Sequence, residues 1–293
     1  MNVLRILEQL GFDISLDLTI FQFHNAEDGS PYEVWKVQNA KTTCVLKKAK
    51  GHELEIYATF FNEEISGAPR FLGSTTFGGD DYFLMEYVEG EDLRLCNRDK
   101  LTAALDALID VQSHYWENHE FDRVAVSYEA GLAKCKGRRD YLRDAELEQA
   151  YDAFLELYEL LPRTLCHDDL LPFNVLVSEG KATLIDWEYA GVLPYPTSLA
   201  RLIAHGEERN GAFFYMTEDD KLFAVSYYFE HLVKKKGISY ADYRKALDNF
   251  LLYEYCEWVM LGNKYADADM ERYRDYFDKA KTHVRRMKLA GTE

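Results

Sequence analysis

Apolar residues alternate or cluster over residues 17–25, 31–39 and 43–49, a pattern that predicts three antiparallel strands near the start of the chain. The polar stretch Asn25-Ala26-Glu27-Asp28-Gly29-Ser30-Pro31 is a turn between the first two. A helix is predicted over His52 to Phe61. Tyr82-Phe83-Leu84-Met85-Glu86-Tyr87-Val88-Glu89-Gly90 reads as a further strand running into a connector. Downstream the period changes to that of helices over 100–117, 122–160, 218–235 and 240–285. Within this half, Thr164-Leu165-Cys166 and Val175-Leu176-Val177 flank a polar loop. Ala182-Thr183-Leu184-Ile185 is a strand after the turn Ser178-Glu179-Gly180-Lys181. The pattern implies an α+β molecule of two lobes. A small antiparallel-sheet lobe would cover residues 1–87, and a larger, mainly helical lobe residues 88–293. No internal repeat or long Pro/Gly/Ser linker interrupts it.

Composition narrows the class. Hydrophobic residues make up 47% of the 293 residues and aromatics 14%, enough for real cores. No apolar run reaches the roughly 18 residues of a membrane span. The amphipathic start, Met1 to Leu10, lacks a signal-peptide pattern. Cys44, Cys96, Cys135, Cys166 and Cys256 are scattered without a C-x-x-C pair. They are expected to be reduced thiols in a cytoplasmic protein, with no zinc site. A net charge of −17 argues against nucleic acid as a partner and points weakly to cationic small molecules.

The polar loop carries the chemistry. His167-Asp168-Asp169-Leu170-Leu171-Pro172-Phe173-Asn174 fits H-x-D-x-x-x-x-N, and Ile185-Asp186-Trp187-Glu188 begins eleven residues after Asn174. In phosphoryl transfer an Asp accepts the proton of the attacking hydroxyl, while Mg²⁺ neutralises charge spreading over the phosphoryl oxygens. Mg²⁺ takes hard oxygen ligands and only one or two protein carboxylates. Asn174 and Asp186 supply that set, and Asp169 lies beside it as the candidate base. His167 is expected to hold the loop rather than to take the proton. Thr43-Cys44-Val45-Leu46-Lys47-Lys48 places Lys47 on the same strand face as Val45, where a lysine can reach the α- and β-phosphates of ATP. By analogy with kinases, where a Glu of the next helix pairs with the strand lysine, Glu53 is the preferred partner of Lys47, with Glu55 as the alternate. Backbone groups of the Asn25–Pro31 turn, including Ser30, could cover the phosphates. By analogy with a kinase hinge, the Glu86 carbonyl and the Val88 N–H would read adenine, with Met85 at its edge.

This order of elements resembles the aminoglycoside phosphotransferase and choline kinase superfamily, small-molecule relatives of the protein kinases. The resemblance spans about residues 15 to 280. It is most specific in Cys166 to Asn174 and in Ile185-Asp186-Trp187-Glu188-Tyr189-Ala190-Gly191, strings most like those of bacterial choline kinases. It implies a bilobal protein-kinase-like fold, ATP and Mg²⁺ as cofactors, and a small-molecule hydroxyl acceptor. Asp169 would be the base, Asn174 and Asp186 the metal ligands, and Lys47 the phosphate contact. Tyr255-Cys256-Glu257-Trp258 stands where choline kinases carry two aromatics three apart, and Tyr189 matches a tyrosine after their metal Asp. The resemblance thus makes Tyr189, Tyr255 and Trp258 candidates for binding a quaternary ammonium by cation–π attraction. Glu254 and Glu257 could add carboxylate attraction. The pattern also fits a helix packing on a core, through Leu251, Leu252, Tyr255, Val259 and Gly262. Two departures stand out. Ser30-Pro31-Tyr32 replaces the usual small polar run of the phosphate loop. Pro194-Tyr195-Pro196-Thr197-Ser198-Leu199-Ala200 replaces a D-P-x-x-D-L-A-like string, so a structural carboxylate is missing. An aminoglycoside kinase and a nucleotide-binding pseudokinase are the competing readings.

Overall fold

The computed structural model describes residues 3–15, 17–25, 28–118, 128–265 and 270–290. Helix α1 (Val3–Gln9) precedes strands β1 (Thr19–His24), β2 (Pro31–Gln38) and β3 (Thr43–Lys48), then helix α2 (Glu53–Phe60) and strands β4 (Phe71–Phe77) and β5 (Asp80–Glu86). The five strands form one antiparallel sheet in the order β1-β2-β3-β5-β4. Strand alternation assigns its two faces. Trp35, Val37, Cys44, Leu46, Tyr82 and Leu84 pack under Ile6 and Leu7 of α1. Val45, Phe83 and Met85 face the other way, into the core that holds Ile56, Tyr57 and Phe60 of α2.

The rest of the chain is mainly helical. Strand β6 (Glu91–Asp92) leads into helices α3 (Arg98–His114), α4 (Tyr128–Arg139) and α5 (Ala145–Leu160). Strands β7 (Arg163–Cys166), β8 (Val175–Ser178), β9 (Lys181–Leu184) and β10 (Gly191–Pro194) follow, then helices α6 (Pro196–Ala204), α7 (Glu218–Tyr228), α8 (Tyr240–Lys264) and α9 (Met270–Ala290). Local chemistry sets the helix starts. Side chains of Asn97, Asp144 and Ser239 accept the N–H three residues on, and Thr217 with Asp220 forms a reciprocal capping box. In α3 the buried positions Leu101, Ala104, Leu105, Leu108 and Val111 form the stripe that packs inward.

The sequence pattern and the structure differ at two long helical stretches. The helical stretch over 122–160 is two helices, because Arg143 takes a left-handed φ of 54° and Asp144 starts α5 afresh; its first residues, 122–127, lie outside the described ones. Likewise 240–285 holds two helices, α8 and α9. The stretch over 218–235 is helical as expected, an α-helix to Tyr228 that widens over Phe229–Val233 and tightens over Lys234–Lys236. The strand that runs into a connector is also found as expected, with pairing up to Glu86 and Tyr87–Gly90 as the connector. Strand β4 and helix α6 are additions the pattern did not predict.

Gly67 ties the loop after α2 to the helical half. Its carbonyl accepts the Leu184 N–H at 2.8 Å. Its φ is +91°, and a Cβ there would lie 2.7 Å from the Ala107 carbonyl oxygen. Both the backbone conformation and the space exclude a side chain. Gly67→Ala is therefore expected to lower stability by about 2 kcal/mol or more, read as a lower urea midpoint; an unchanged midpoint would contradict this packing.

Candidate active site

Hairpin register brings the two motifs together. β8 and β9 pair Val175 with Leu184, and the next step outward joins Asn174 to Ile185, whose N–H donates to the Asn174 carbonyl at 2.9 Å. Asn174 therefore lies opposite the residue before Asp186. Asp186 itself is left-handed, at φ 64° and ψ 59°, a conformation costly for a non-glycine residue and concentrated at functional sites. Three contacts hold it there. His167 bonds the Ile185 carbonyl through Nε2 at 2.8 Å. The Trp187 indole N–H donates to the Leu184 carbonyl at 2.7 Å. The Trp187 ring packs on His167 and Phe61 at 4.7 and 4.8 Å.

His167 is fully buried, and burial pushes its pKa down to about 4. The ring is thus neutral. A single tautomer serves both its bonds, with Nε2–H donating to Ile185 and Nδ1 accepting the Asp169 N–H at 3.3 Å. That occupies both nitrogens and makes His167 a brace for the loop. The His167 N–H donates to Ser198 Oγ at 2.9 Å. Ser198 thus anchors the loop from within the segment where the sequence lacks its expected carboxylate.

Lys47 joins the sheet to this loop. Its Nζ is 2.6 Å from Glu53 Oε1 and 2.6 Å from Asp186 Oδ1. The structure thus pairs Lys47 with Glu53 rather than Glu55, which is half-buried beside His52. Burial works against the Lys47 charge, but its two carboxylate partners outweigh it and hold its pKa above the ordinary value. Burial raises Glu53 to about 7 against the pull of Lys47, and its second oxygen has no hydrogen-bond partner. At Asp186 burial also opposes ionisation, yet Lys47 wins and the carboxyl lies below its usual range.

Asp169 is held on the other side of Asn174. The Asn174 Nδ2 donates to the Asp169 carbonyl at 2.9 Å. Burial raises the Asp169 pKa and Arg201 only partly reverses this, which makes it a stronger base than a surface aspartate. Arg201, on α6, contacts Asp169, Glu254 and Glu257 at 2.7, 2.8 and 2.6 Å. Arg138 holds Glu257 at 2.9 Å, and Lys134 holds Asp168 at 2.6 Å. Sequence reasoning missed all three cations, because nothing local marks a helix lysine or arginine as a partner of a distant carboxylate.

The remaining candidates fall at several places. The Ser30 N–H is taken by Asp28 Oδ1 at 2.9 Å, and the Ser30 carbonyl accepts the Asn25 N–H at 2.8 Å; residues 26 and 27 of that turn lie outside the described ones. Met85 is buried on the same sheet face as Val45 and pairs with it across the strands. Glu86 ends β5, and Val88 follows in the connector, where the Tyr87 ring receives Lys36 Nζ at 3.9 Å. Tyr189 is 56% exposed on the turn after Asp186. Glu254 is not a free carboxylate. It is buried and bound by Arg201, with His205 Nε2 at 3.3 Å. Tyr255 and Trp258 meet helix α9. Trp258 stacks on Tyr276 at 5.6 Å and Tyr255 meets His283 edge-on at 5.4 Å.

The donor set fits magnesium. Lys47 occupies Asp186 Oδ1, which leaves Oδ2 for a metal. The Asn174 amide, with its N–H turned to Asp169, has its oxygen for the same use. Among the described residues no cluster of three or more His, Cys, Asp or Glu could hold a metal by itself. A sparse pair of oxygens beside a nucleotide is what Mg²⁺ needs, since phosphates and water complete its octahedron.

The sheet and the helical half are thus joined by a buried lysine–carboxylate contact. A model of the phosphotransferase enzyme family (APH) matches residues 30–224, about two thirds of the chain, so the chain belongs to that family and is a phosphotransferase. No curated protein sequence matches it. Among solved structures, a choline kinase from Cryptosporidium parvum Iowa II aligns with TM-score 0.65 and 14% identity over 99% of this chain and 96% of its own. An aminoglycoside phosphotransferase from Alicyclobacillus acidocaldarius gives 0.62 and 15% over 94% and 93%. An amicoumacin kinase in complex with AMP-PNP, Ca²⁺ and Ami gives 0.53 and 12% over 91% and 88%. At these identities the likeness establishes the fold, the α+β kinase-like architecture expected from the sequence. No described helix is long and apolar enough to cross a membrane.

The buried imidazole also sets a pH dependence. The unfolded chain protonates His167 near 6.5 and the folded chain only near 4. Between those values the unfolded state binds more protons, so stability falls as pH is lowered through the window. From pH 7 to 5 this group accounts for a loss of about 2 kcal/mol. Urea unfolding at the two pH values should show a smaller drop in His167→Gln than in the wild type; equal drops would contradict the assignment.

Proposed function

We propose that this phosphotransferase moves the γ-phosphoryl group of ATP to a hydroxyl of a small molecule, with Mg²⁺ as the metal. The observation that carries the reading is Lys47 Nζ at 2.6 Å from both Glu53 and Asp186, with Asn174 and Asp169 on the adjoining loop. In this reading the sheet residues up to 87 and the helical residues after it form the two walls of the nucleotide cleft. Adenine lies along Met85, the Glu86 carbonyl and the Val88 N–H. Ser30 covers the phosphates once its N–H leaves Asp28 Oδ1, which holds it in this structure, and Lys47, positioned by Glu53, contacts them. Asn174 and Asp186 hold Mg²⁺, which neutralises charge on the transferring group. The acceptor oxygen attacks γ-phosphorus in line as its proton passes to Asp169, and ADP leaves. Fixed geometry and fixed charge do most of the work in such a transfer.

For the acceptor we favour a small cationic alcohol of the choline or ethanolamine type. Tyr189 is an exposed aromatic on the turn after Asp186, and the net charge of −17 attracts cations. Tyr255, Trp258 and Glu254 would shape the pocket from α8 rather than line a bare aromatic cage, given their contacts with α9 and Arg201. An aminoglycoside acceptor is the alternative. It draws on the cluster of Asp168, Asp169, Glu254 and Glu257, and on the solved aminoglycoside phosphotransferase with the same fold. We place the reaction in the cytoplasm, where ATP and reduced thiols are found.

ADP release from Mg²⁺–ATP should appear with one member of a panel of choline, ethanolamine, aminoglycosides and sugar alcohols. Asp169→Asn should lower that rate by about a thousandfold or more. Lys47→Met should weaken the use of ATP and, because it strands the buried Glu53 and Asp186 carboxylates, also lower the urea midpoint; an unchanged midpoint would contradict the contact. Nucleotide binding without turnover on any acceptor would favour a regulatory pseudokinase instead.

A further inference from the structure

The candidate base is gripped by an arginine that belongs to neither motif. Arg201 donates to a single oxygen of Asp169, Oδ1, from Nη2 at 2.7 Å and from Nε at 3.2 Å. Its third nitrogen, Nη1, donates to Glu254 Oε2 at 2.8 Å and Glu257 Oε2 at 2.6 Å. All three of its nitrogens are thus engaged, and its side chain is only 14% exposed. The two glutamates are fixed in turn. Glu257 Oε1 receives Arg138 at 2.9 Å, and Glu254 Oε2 lies 3.3 Å from His205, whose Nδ1 meets the Tyr276 hydroxyl at 2.6 Å. Helix α6 is itself bonded to the catalytic loop one turn before Arg201, through Ser198 Oγ and the His167 N–H. The helix that carries the arginine and the loop that carries the base therefore form one unit.

We infer that Arg201 is the positioning residue for the proton transfer. It fixes the Asp169 carboxylate by Oδ1 and leaves Oδ2 as the atom that takes the acceptor proton. Glu254 and Glu257 act through Arg201 rather than on the acceptor. The inference rests on Asp169 being the base. Three physical points support it. The terminal torsion of an aspartate is broad and nearly two-fold, so an untethered carboxylate has no fixed direction. A planar guanidinium sets direction through several donors at once, which a lysine point charge does not. Neutralising the two glutamates would need only Nη1, yet two further donors turn to Asp169.

The test is the full chain with Arg201→Ala and Arg201→Lys, read in two ways. The first is saturation kinetics of ADP release with Mg²⁺–ATP and the acceptor that turns over in the panel, with and without added guanidinium. The second is a crystal structure of Arg201→Ala. Arg201→Ala should lose about a hundredfold in kcat with KM for ATP unchanged, and Arg201→Lys should recover part of it. The Asp169 carboxylate should rotate out of its wild-type direction, or guanidinium should restore the rate. An unimpaired kcat overturns the inference; so does a loss that guanidinium leaves in place while the Asp169 carboxylate has not moved. If no acceptor turns over, the carboxylate direction alone decides. Should Arg201→Ala fail to fold, Arg201→Met combined with Glu254→Gln and Glu257→Gln removes the three charges together and is read in the same way. Asp169→Asn separates the two levels: a fully active Asp169→Asn defeats the base assignment, whereas an inactive one beside an active Arg201→Ala defeats only the role of Arg201.

Discussion

The contact of Lys47 with Asp186 is the interaction on which the rest of the site depends. The two residues are 139 positions apart, and their ion pair closes the sheet onto the loop. A buried ammonium is costly alone and tolerable only with charged partners. Glu53 and Asp186 are those partners, so the fold that buries Lys47 must also deliver both carboxylates. Strand register in β3 turns Lys47 to the inner face, the start of α2 supplies Glu53, and the β8–β9 hairpin supplies Asp186. Each element has its own local reason to form, and the lysine makes them mutually dependent.

The same logic governs the acidic side of the site. Asp168, Asp169, Glu254 and Glu257 would repel one another if left alone. Lys134, Arg138 and Arg201 divide them into pairs and one triple contact. Removing one partner from such a network strands a buried charge, so the cluster resists piecemeal change. The large negative charge of the chain can draw a cation toward the protein, but within this pocket it is largely matched by Lys134, Arg138 and Arg201. Its most buried carboxylates are already matched, and Tyr189 is the exposed feature nearest Asp186 in the chain.

Residues whose meaning is local were legible in the sequence. The loop from His167 to Asn174 and the strand ending at Asp186 lie within one hairpin, so spacing alone implied their meeting. Lys47 and Glu53 were legible through their likeness to the strand lysine and helix glutamate of kinases, with strand alternation giving the face of Lys47. Arg201 was illegible because its significance lies in contacts with Asp169, Glu254 and Glu257, which are 32 to 56 positions away. Glu254 was read as free for the same reason, since a sequence shows a carboxylate but not its arginine. Helix α6 was hidden behind Pro194 and Pro196, which punctuate like a loop although Pro is well suited to a helix start. Strand β4 was hidden because Gly73, Ser74, Thr75 and Thr76 carry little apolar signal; pairing with β5 creates it.

The central claim is that one cleft, built from Lys47, Glu53, Asn174 and Asp186, holds Mg²⁺ and ATP. A crystal structure with Mg²⁺ and AMP-PNP tests it most directly. The account predicts Mg²⁺ bound by oxygens of Asn174 and Asp186 at about 2.0–2.1 Å, with Lys47 on the α- and β-phosphates. A nucleotide bound elsewhere, or in this cleft with its metal away from Asn174 and Asp186, would contradict it.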